Sequence, residues 1–148
     1  MVQLLIVAHT PLATALQAVA RHVYPDCGAG LAAVDVLPGE NMDAVQARIG
    51  EALKALPGDE VLILVDVFGA TPCNAALAVA GPRARVVAGV NVPMLWRTLC
   101  YADQPLEDLV NRAVAGATQG VMPVSVPRRQ NQPIPISSHD PVEHHDQQ

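Results

Sequence analysis

The sequence has few aromatic residues and little positive charge. Its 148 residues include one Trp, one Phe and two Tyr, and 9 Lys and Arg residues against 14 Asp and Glu residues give a formal net charge of −5. Nucleic-acid binders need a basic surface for phosphates, and many stack bases on aromatic rings. Anionic lipid surfaces attract basic segments in the same way. We therefore expect protein or small-molecule partners and no nucleic acid.

Cysteines are scarce, and long hydrophobic runs are absent. Cys27, Cys73 and Cys100 are odd in number and form no Cys-x-x-Cys pair, which argues against a disulfide framework and a structural zinc site. No apolar run approaches the roughly 18 residues of a membrane span, and the first run lacks the positive region of a signal peptide. We therefore expect a cytoplasmic protein without membrane insertion.

The hydrophobic content that is present, 51% of the chain, comes mainly from Ala, Val and Leu. This content is enough for the core of one domain. Four short runs are almost continuously apolar, which is typical of strands that are covered on both faces in a parallel sheet. These predicted strands are residues 4–8, 31–36, 60–65 and 85–90.

Segments with helical spacing of apolar residues follow each predicted strand. Thr10 and Thr71 each precede a proline, which predicts a helix with threonine as N-cap and proline as first residue. Further helices are predicted over residues 41–56, from Pro93 and over residues 106–114. The resulting βαβαβαβα order predicts an α/β fold: a doubly wound, open, mainly parallel sheet of order 2-1-3-4 with helices on both faces.

The carboxyl-terminal part of the chain changes in character. Residues 120–126, GVMPVSV, alternate weakly and favour a short edge strand, so that the domain is predicted over residues 1–126. Residues 127–148 are rich in Pro, Gln and His and predict a disordered tail. Three histidines among carboxylates in this tail, at positions 139, 144 and 145, are an alternative weak site for a divalent metal.

Two residues at predicted strand ends can carry chemistry together. His9 ends the first strand, and Asp66 follows the third, in a run where seven of the eight residues 61–68 are apolar. A carboxylate in such a place is costly unless it has a partner. In the order 2-1-3-4 the two residues are neighbours at the switch point, where open parallel sheets bind ligands. Asp66 would accept the Nδ1 proton of His9 and leave Nε2 as a nucleophile.

The segment after Asp66 predicts an anion site. Gly69, Ala70 and Thr71 allow a sharp turn before a helix, and free N–H groups at a helix start attract anions. Together with a histidine nucleophile, this pattern favours a phosphoryl group carried on His9, with the Thr71 hydroxyl as an additional donor. Asp66 could instead cap this turn. The arrangement requires no metal and no other cofactor.

Four blocks, IVAHTPLA, DVLPGEN, LVDVFGATPCNAA and VAGVNVPML, resemble in order and spacing those of the mannose-family IIA domains of the bacterial sugar phosphotransferase system. The resemblance extends from residue 2 to about 124. It implies a phosphoryl carrier that accepts a phosphoryl group from the histidine-containing phosphocarrier protein. His9 matches the phosphorylated histidine, Asp66 its hydrogen-bonding aspartate and Thr71 a Ser or Thr beside the phosphohistidine. The family forms homodimers by exchanging a carboxyl-terminal strand, for which residues 120–126 are available.

The resemblance does not identify the protein that accepts the phosphoryl group from His9. The chain departs from the family pattern at Thr10-Pro11 and at Ala70, which would reshape the rim of the site. No attached IIB domain is evident, so the group either passes to a separate IIB component or acts as a regulatory switch. The alternatives are a regulatory binding module that is controlled by phosphorylation of His9, and the phosphoryl-donor subunit of a dihydroxyacetone kinase.

Three further positions have weaker signals. Trp96 lies off the apolar stripe of its helix and is either a partner anchor near the site or a core residue. The residues predicted to bind a partner are Asn91, Pro93, Met94 and Trp96. His22 is interpreted as a residue at the boundary of the first helix. Cys73 at a helix start is either a packed residue or a redox-sensitive thiol.

Overall fold

The computed structural model describes residues 1–127. Its strands are β1 (Gln3–His9), β2 (Ala32–Val36), β3 (Val61–Val65) and β4 (Ala84–Ala88). Its helices are α1 (Leu12–Val23), α2 (Pro25–Gly28), α3 (Met42–Ala55), α4 (Thr71–Val79), α5 (Val92–Cys100) and α6 (Leu106–Gln119).

The four strands form one open sheet in the order β2-β1-β3-β4, and all pairs are parallel. The predicted α/β fold and strand order are therefore confirmed. Each crossover between parallel strands is made by at least one helix, as such connections require. β1 lies in the centre, where Leu5, Ile6 and Val7 are completely buried. This burial explains why its sequence is continuously apolar rather than alternating.

Helices cover both faces of the sheet. Alternate residues of β1 point to opposite faces: Leu4 and Ile6 pack in one core with residues of α1, α5 and α6. Leu5 and Val7 pack in a second core with residues of α3 and α4. We call these two sides the α1 face and the α4 face.

The start of α1 differs from its prediction. Thr10 was predicted as the N-cap with Pro11 as the first helical residue, but the helix begins at Leu12 and Pro11 holds the N-cap position. The reason is that the strand ladder continues past His9: the Thr10 N–H donates to the carbonyl of Val36 at 3.0 Å. The Thr10 backbone therefore belongs to the strand side of the junction.

Two further segments differ from their predictions. Helix α2 was not predicted, because four residues are too few for a periodic pattern. Residues 121–127 form no strand within the chain, and the side chains of Val121, Met122, Val124 and Val126 are between 63% and 90% exposed. The predicted tail beyond Pro127, with its three histidines, lies outside the described residues.

None of the helices within residues 1–127 has both the length and the apolar character that crossing a membrane requires.

Helices α5 and α6 pack so closely that Gly116 has no room for a side chain. A Cβ at this position would lie 2.8 Å from the Cβ of Arg97 and 3.3 Å from the carbonyl oxygen of Pro93. We expect Gly116→Ala to destabilise the protein by about 1–3 kcal/mol, because one helix must move away from the other. Chemical denaturation measures this change.

Gly50 provides the matched control. It lies within α3 and a Cβ there would meet nothing within 4 Å. Gly50→Ala should therefore stabilise the protein by about 0.5–1 kcal/mol through helix propensity alone. Equal effects of the two substitutions would contradict the close packing of α5 on α6.

Candidate functional site

His9 is the last residue of the central strand, at the carboxyl edge of the sheet. Its backbone is paired with Val36 of β2, while 53% of its side chain is exposed. The imidazole is thus accessible, although the strand that carries it is buried. The side chain of Asp66, directly after β3, is only 13% exposed.

The structure brings His9 and Asp66 together as the strand order predicts. Asp66 Oδ2 lies 2.6 Å from His9 Nδ1 and also accepts the His9 backbone N–H at 3.0 Å. Asp66 Oδ1 accepts the backbone N–H of Val67 at 2.9 Å. Because a carboxylate can only accept, the facing Nδ1 carries the proton and Nε2 keeps a free lone pair.

The pKa of Asp66 reflects two opposing effects. Partial burial raises it, but the hydrogen bonds from the His9 backbone, the His9 ring and the Val67 backbone outweigh burial, so that the pKa lies below its ordinary value. The carboxylate is therefore ionised at neutral pH. A fixed negative charge next to Nδ1 stabilises positive charge on the ring whenever Nε2 reacts with an electrophile.

The imidazole belongs to the α4 face of the sheet. By strand alternation His9 points to the same side as Leu5 and Val7, which pack in the core with α4. Helix α4 itself packs on β1. The helix that follows the Asp66 loop therefore lies on the same face as the ring.

The loop from Asp66 to α4 turns at Gly69, whose φ of +86° is in the left-handed region that favours glycine. Thr71 was predicted as the N-cap, but it is the first helical residue and Ala70 is the N-cap. The Asn74 N–H donates to Ala70, so the helical hydrogen bonds begin one residue earlier than predicted. Within residues 1–127 the Thr71 hydroxyl has no hydrogen-bond partner, and it is half-buried.

Four helices follow the four strands at this edge, and three of them are capped by a side chain. Asn41 accepts the Asp43 N–H at the start of α3, and Asn91 accepts the Met94 N–H at the start of α5. Asp35 of β2 accepts the Thr14 N–H at the start of α1.

Helix α4 differs from these three. No side chain of the described residues caps its first turn, and that turn contains no acidic residue. Its backbone N–H groups at Thr71 and Cys73 are available, whereas Pro72 has none. Of the four helix starts, the start of α4 is thus the one suited to an anion.

Exposed apolar residues lie at the same edge of the sheet as His9, and the predicted site residues do not include them. Phe68 is 79% exposed, Leu37 54%, Val67 49% and Leu12 38%. Leu37, Val67 and Phe68 lie within three residues after the end of a strand, and Leu12 is the first residue of α1. The signal was present in the sequence, because apolar residues that continue past a strand end have no place in the sheet.

The loop that carries Leu37 is held in place by Glu40. The Glu40 carboxylate accepts the Leu37 N–H at 3.0 Å and pairs with Arg48 at 2.8 Å. These two interactions, the Leu37 hydrogen bond first, hold the pKa of Glu40 below its ordinary value. The exposed position of Leu37 is therefore a fixed feature of the surface.

The four residues predicted to bind a partner do not form one continuous surface. Met94 is 1% exposed and packs in the core, so that its predicted role as a partner contact was wrong. Asn91 caps α5 and donates to the carbonyl of Ala117. Trp96 packs on Tyr24 with ring centroids 5.3 Å apart, at the end of α1 that lies far from His9. Pro93 and Trp96 line a groove between α5 and α6 instead.

The remaining candidates do not join the site. His22 is exposed near the end of α1 that is far from His9. Cys73 is 2% exposed and packs in the core of the α4 face, which favours the interpretation as a packed residue. Among residues 1–127 no group of three or more His, Cys, Asp or Glu side chains could hold a metal ion.

Comparison with known proteins gives consistent similarities. The family model described as PTS system fructose IIA component matches residues 3–114. The PTS system fructose-specific EIIA component of Bacillus subtilis is 40% identical over 93 residues, which are 60% of this chain and 64% of that protein. The PTS system mannose-specific EIIAB component of Escherichia coli is 38% identical over 93 residues, which are 60% of this chain and 29% of that protein. The matches thus span less than two thirds of these curated relatives.

Solved structures share the fold. The mannose/sorbose-specific IIA subunit of Enterococcus faecalis superposes with a TM-score of 0.79 and 25% identity over 86% of this chain and 98% of that chain. The phosphotransferase system component EIIA of Streptococcus agalactiae superposes with a TM-score of 0.71 over 83% of this chain and 97% of that chain. At 21% identity, this second similarity concerns the fold alone.

Proposed function

The chain belongs to the family of PTS system fructose IIA components, and we propose that it carries a phosphoryl group on Nε2 of His9. The group comes from the phosphohistidine of a histidine-containing phosphocarrier protein and passes to a IIB component. The observation that carries the proposal is the 2.6 Å contact between His9 Nδ1 and Asp66. It leaves Nε2 as the free nucleophile of an exposed imidazole.

The transfer is a displacement at phosphorus between two nitrogen atoms. The Nε2 lone pair of His9 forms the new N–P bond, while the old N–P bond breaks and its electron pair returns to the donor imidazole. The phosphorylated ring of His9 retains the Nδ1 proton, and Asp66 stabilises the resulting positive charge. Passing the group to the acceptor reverses these roles, so the same pair of residues serves both steps.

The start of α4 supplies the place for the phosphoryl oxygens. Gly69, Ala70 and Thr71 form the turn that leads into this uncapped helix, on the face to which His9 points. Backbone N–H groups and the positive end of the helix dipole stabilise the oxygen charges, and the Thr71 hydroxyl adds a donor. The charge is thereby balanced without a metal ion.

The partner docks on the apolar surface around His9, which consists of Leu12, Leu37, Val67 and Phe68. Exposed apolar groups around a reactive side chain are typical of a protein–protein interface. A partner that must bring its own phosphohistidine within bonding distance has to cover this surface. Of the residues predicted for partner binding, Asn91 and Pro93 lie at the start of α5, whereas Met94 is buried and Trp96 packs on Tyr24.

The state of assembly is also part of the proposal. Residues 121–126 expose apolar side chains, and among residues 1–127 β4 pairs only with β3. Exchange of this segment between two copies would complete a homodimer and cover these side chains. We place the protein in the cytoplasm, where the phosphocarrier proteins of this system act.

The proposal is tested by incubating the full chain with labelled phosphoenolpyruvate, the general phosphotransferase enzyme and the phosphocarrier protein. Label that is stable in base and labile in acid, located on His9 by peptide mapping, is the expected result. Transfer to an added IIB component separates a relay from a regulatory module. Absence of label on the chain while the phosphocarrier protein is labelled would refute the function.

A further inference from the structure

Asp35 makes contacts close to His9 that the transfer chemistry does not use. Its Oδ1 accepts the Thr14 backbone N–H at 3.2 Å, and its Oδ2 accepts the Thr14 hydroxyl at 2.6 Å. In β2 it pairs with Ala8, the residue before His9. Its side chain points to the α1 face, because its neighbours Val34 and Val36 pack on the α4 face.

These contacts place a full negative charge at the start of α1. The helix has no acidic residue of its own in the first turn and no side-chain cap at Pro11. The carboxylate from the neighbouring strand occupies the Thr14 N–H and cancels the positive end of the helix dipole. The neutral caps Asn41 and Asn91 also occupy an N–H group, but they add no charge.

Helix α1 would otherwise compete with α4 for anions. It begins three residues after His9, so the backbone of Leu12 lies within about 11 Å of that of His9. This limit is close to the Debye length of about 10 Å at 0.1 M salt, so a charge at the start of α1 acts on a group bound to His9. Two open helix starts, one on each face, would attract the same phosphoryl oxygens.

We propose that Asp35 is a positioning residue for the phosphoryl group, because it closes the start of α1 to anions and leaves α4 as the open helix start. This inference rests on the function proposed above. The carboxylate repels a phosphoryl group on the α1 face, while α4 attracts it on the face where the His9 ring lies. Asp35 also weakens the binding of the phosphoryl group as a whole, which keeps the transfer reversible.

The test compares Asp35→Asn with Asp35→Glu and Thr14→Val. The phosphorylated fraction of each is measured at fixed ratios of phosphoenolpyruvate to pyruvate, with the general enzyme and phosphocarrier protein present. Asp35→Asn should shift the equilibrium toward phosphohistidine by about threefold at low salt, and by less at high salt. Asp35→Glu and Thr14→Val keep the charge and should remain near wild type.

The outcomes separate the two proposals. A wild-type chain without label refutes the phosphoryl carrier itself. A labelled wild type with the same equilibrium in Asp35→Asn refutes only the role of Asp35, as does an equal shift in Thr14→Val, which would indicate a structural effect. If Asp35→Asn does not fold, Asn41→Asp places a charged cap on α3, on the α4 face. It should lower the phosphorylated fraction by about threefold, and an unchanged fraction would overturn the inference.

Discussion

Replacement of His9 by glutamine is expected to reduce phosphoryl transfer to the chain by about a thousandfold or more, because the nucleophile is lost. Glutamine has a similar length and an amide that can still contact Asp66, so the packing at the strand end is preserved. Its amide nitrogen has no free lone pair and cannot form the N–P bond. The rate of label incorporation in single-turnover experiments measures the effect.

His22→Gln is the matched control for this experiment. His22 is exposed on α1 and lies far from the site, so its replacement should leave both the rate and the extent of labelling unchanged. The thermal unfolding of the two variants should agree with that of the wild type within a few degrees. Labelling of His9→Gln at the wild-type rate would mean that another residue accepts the phosphoryl group.

The fold could be predicted from the sequence because its elements have strong local signals. The apolar runs of β1 and β3 are buried on both faces. The helix after β1 has a clear apolar periodicity, and the Ala-rich helix after β3 is indicated by Thr71-Pro72. The strand order placed His9 next to Asp66, which are 57 residues apart in the chain. The contact between these two side chains therefore followed from the strand ends and the predicted strand order.

The details of the helix starts could not be predicted in the same way. A threonine before a proline predicts a threonine N-cap at two places. In the structure, Thr10 continues the strand ladder and Thr71 is already helical. The group that caps α1 is Asp35, from a different strand. Capping across elements depends on tertiary distances, which a local pattern does not contain.

Which residues are exposed on the surface also depends on tertiary packing, which a local sequence pattern does not contain. Met94 was predicted as a partner contact, but the packing of α5 buries it in the core. Trp96 fills a space against Tyr24 that only the packing of α1 and α5 defines. The exposed apolar residues at the edge of the sheet with His9 come from the start of α1 and from loops after two different strands, so no single segment of the sequence shows them as one surface.

Asp66→Asn is expected to slow phosphoryl transfer by about a hundredfold while the fold is retained. Asparagine keeps the shape, and its single oxygen can still accept the Val67 backbone N–H in place of Oδ1, whereas its amide nitrogen in place of Oδ2 no longer accepts the His9 backbone N–H. It removes the negative charge that stabilises the phosphorylated ring, and its amide N–H can donate to Nδ1, which selects the tautomer with Nε2 protonated. Single-turnover transfer rates measure the loss, and Asp59→Asn, at an exposed position before β3, is the control.

The pH dependence provides a second test of Asp66. Because its folded-state pKa lies below the ordinary value of about 3.9, the unfolded chain binds its proton first as the pH falls. Asp66 therefore stabilises the fold fully above that value, and this stability is lost as the pH falls through the lower folded-state pKa. The difference in unfolding free energy between wild type and Asp66→Asn should be constant near neutral pH and shrink in acid. Two results would contradict the proposed role of Asp66. One is an Asp66→Asn variant that transfers the phosphoryl group at the wild-type rate, and the other is a difference in unfolding free energy that grows in acid.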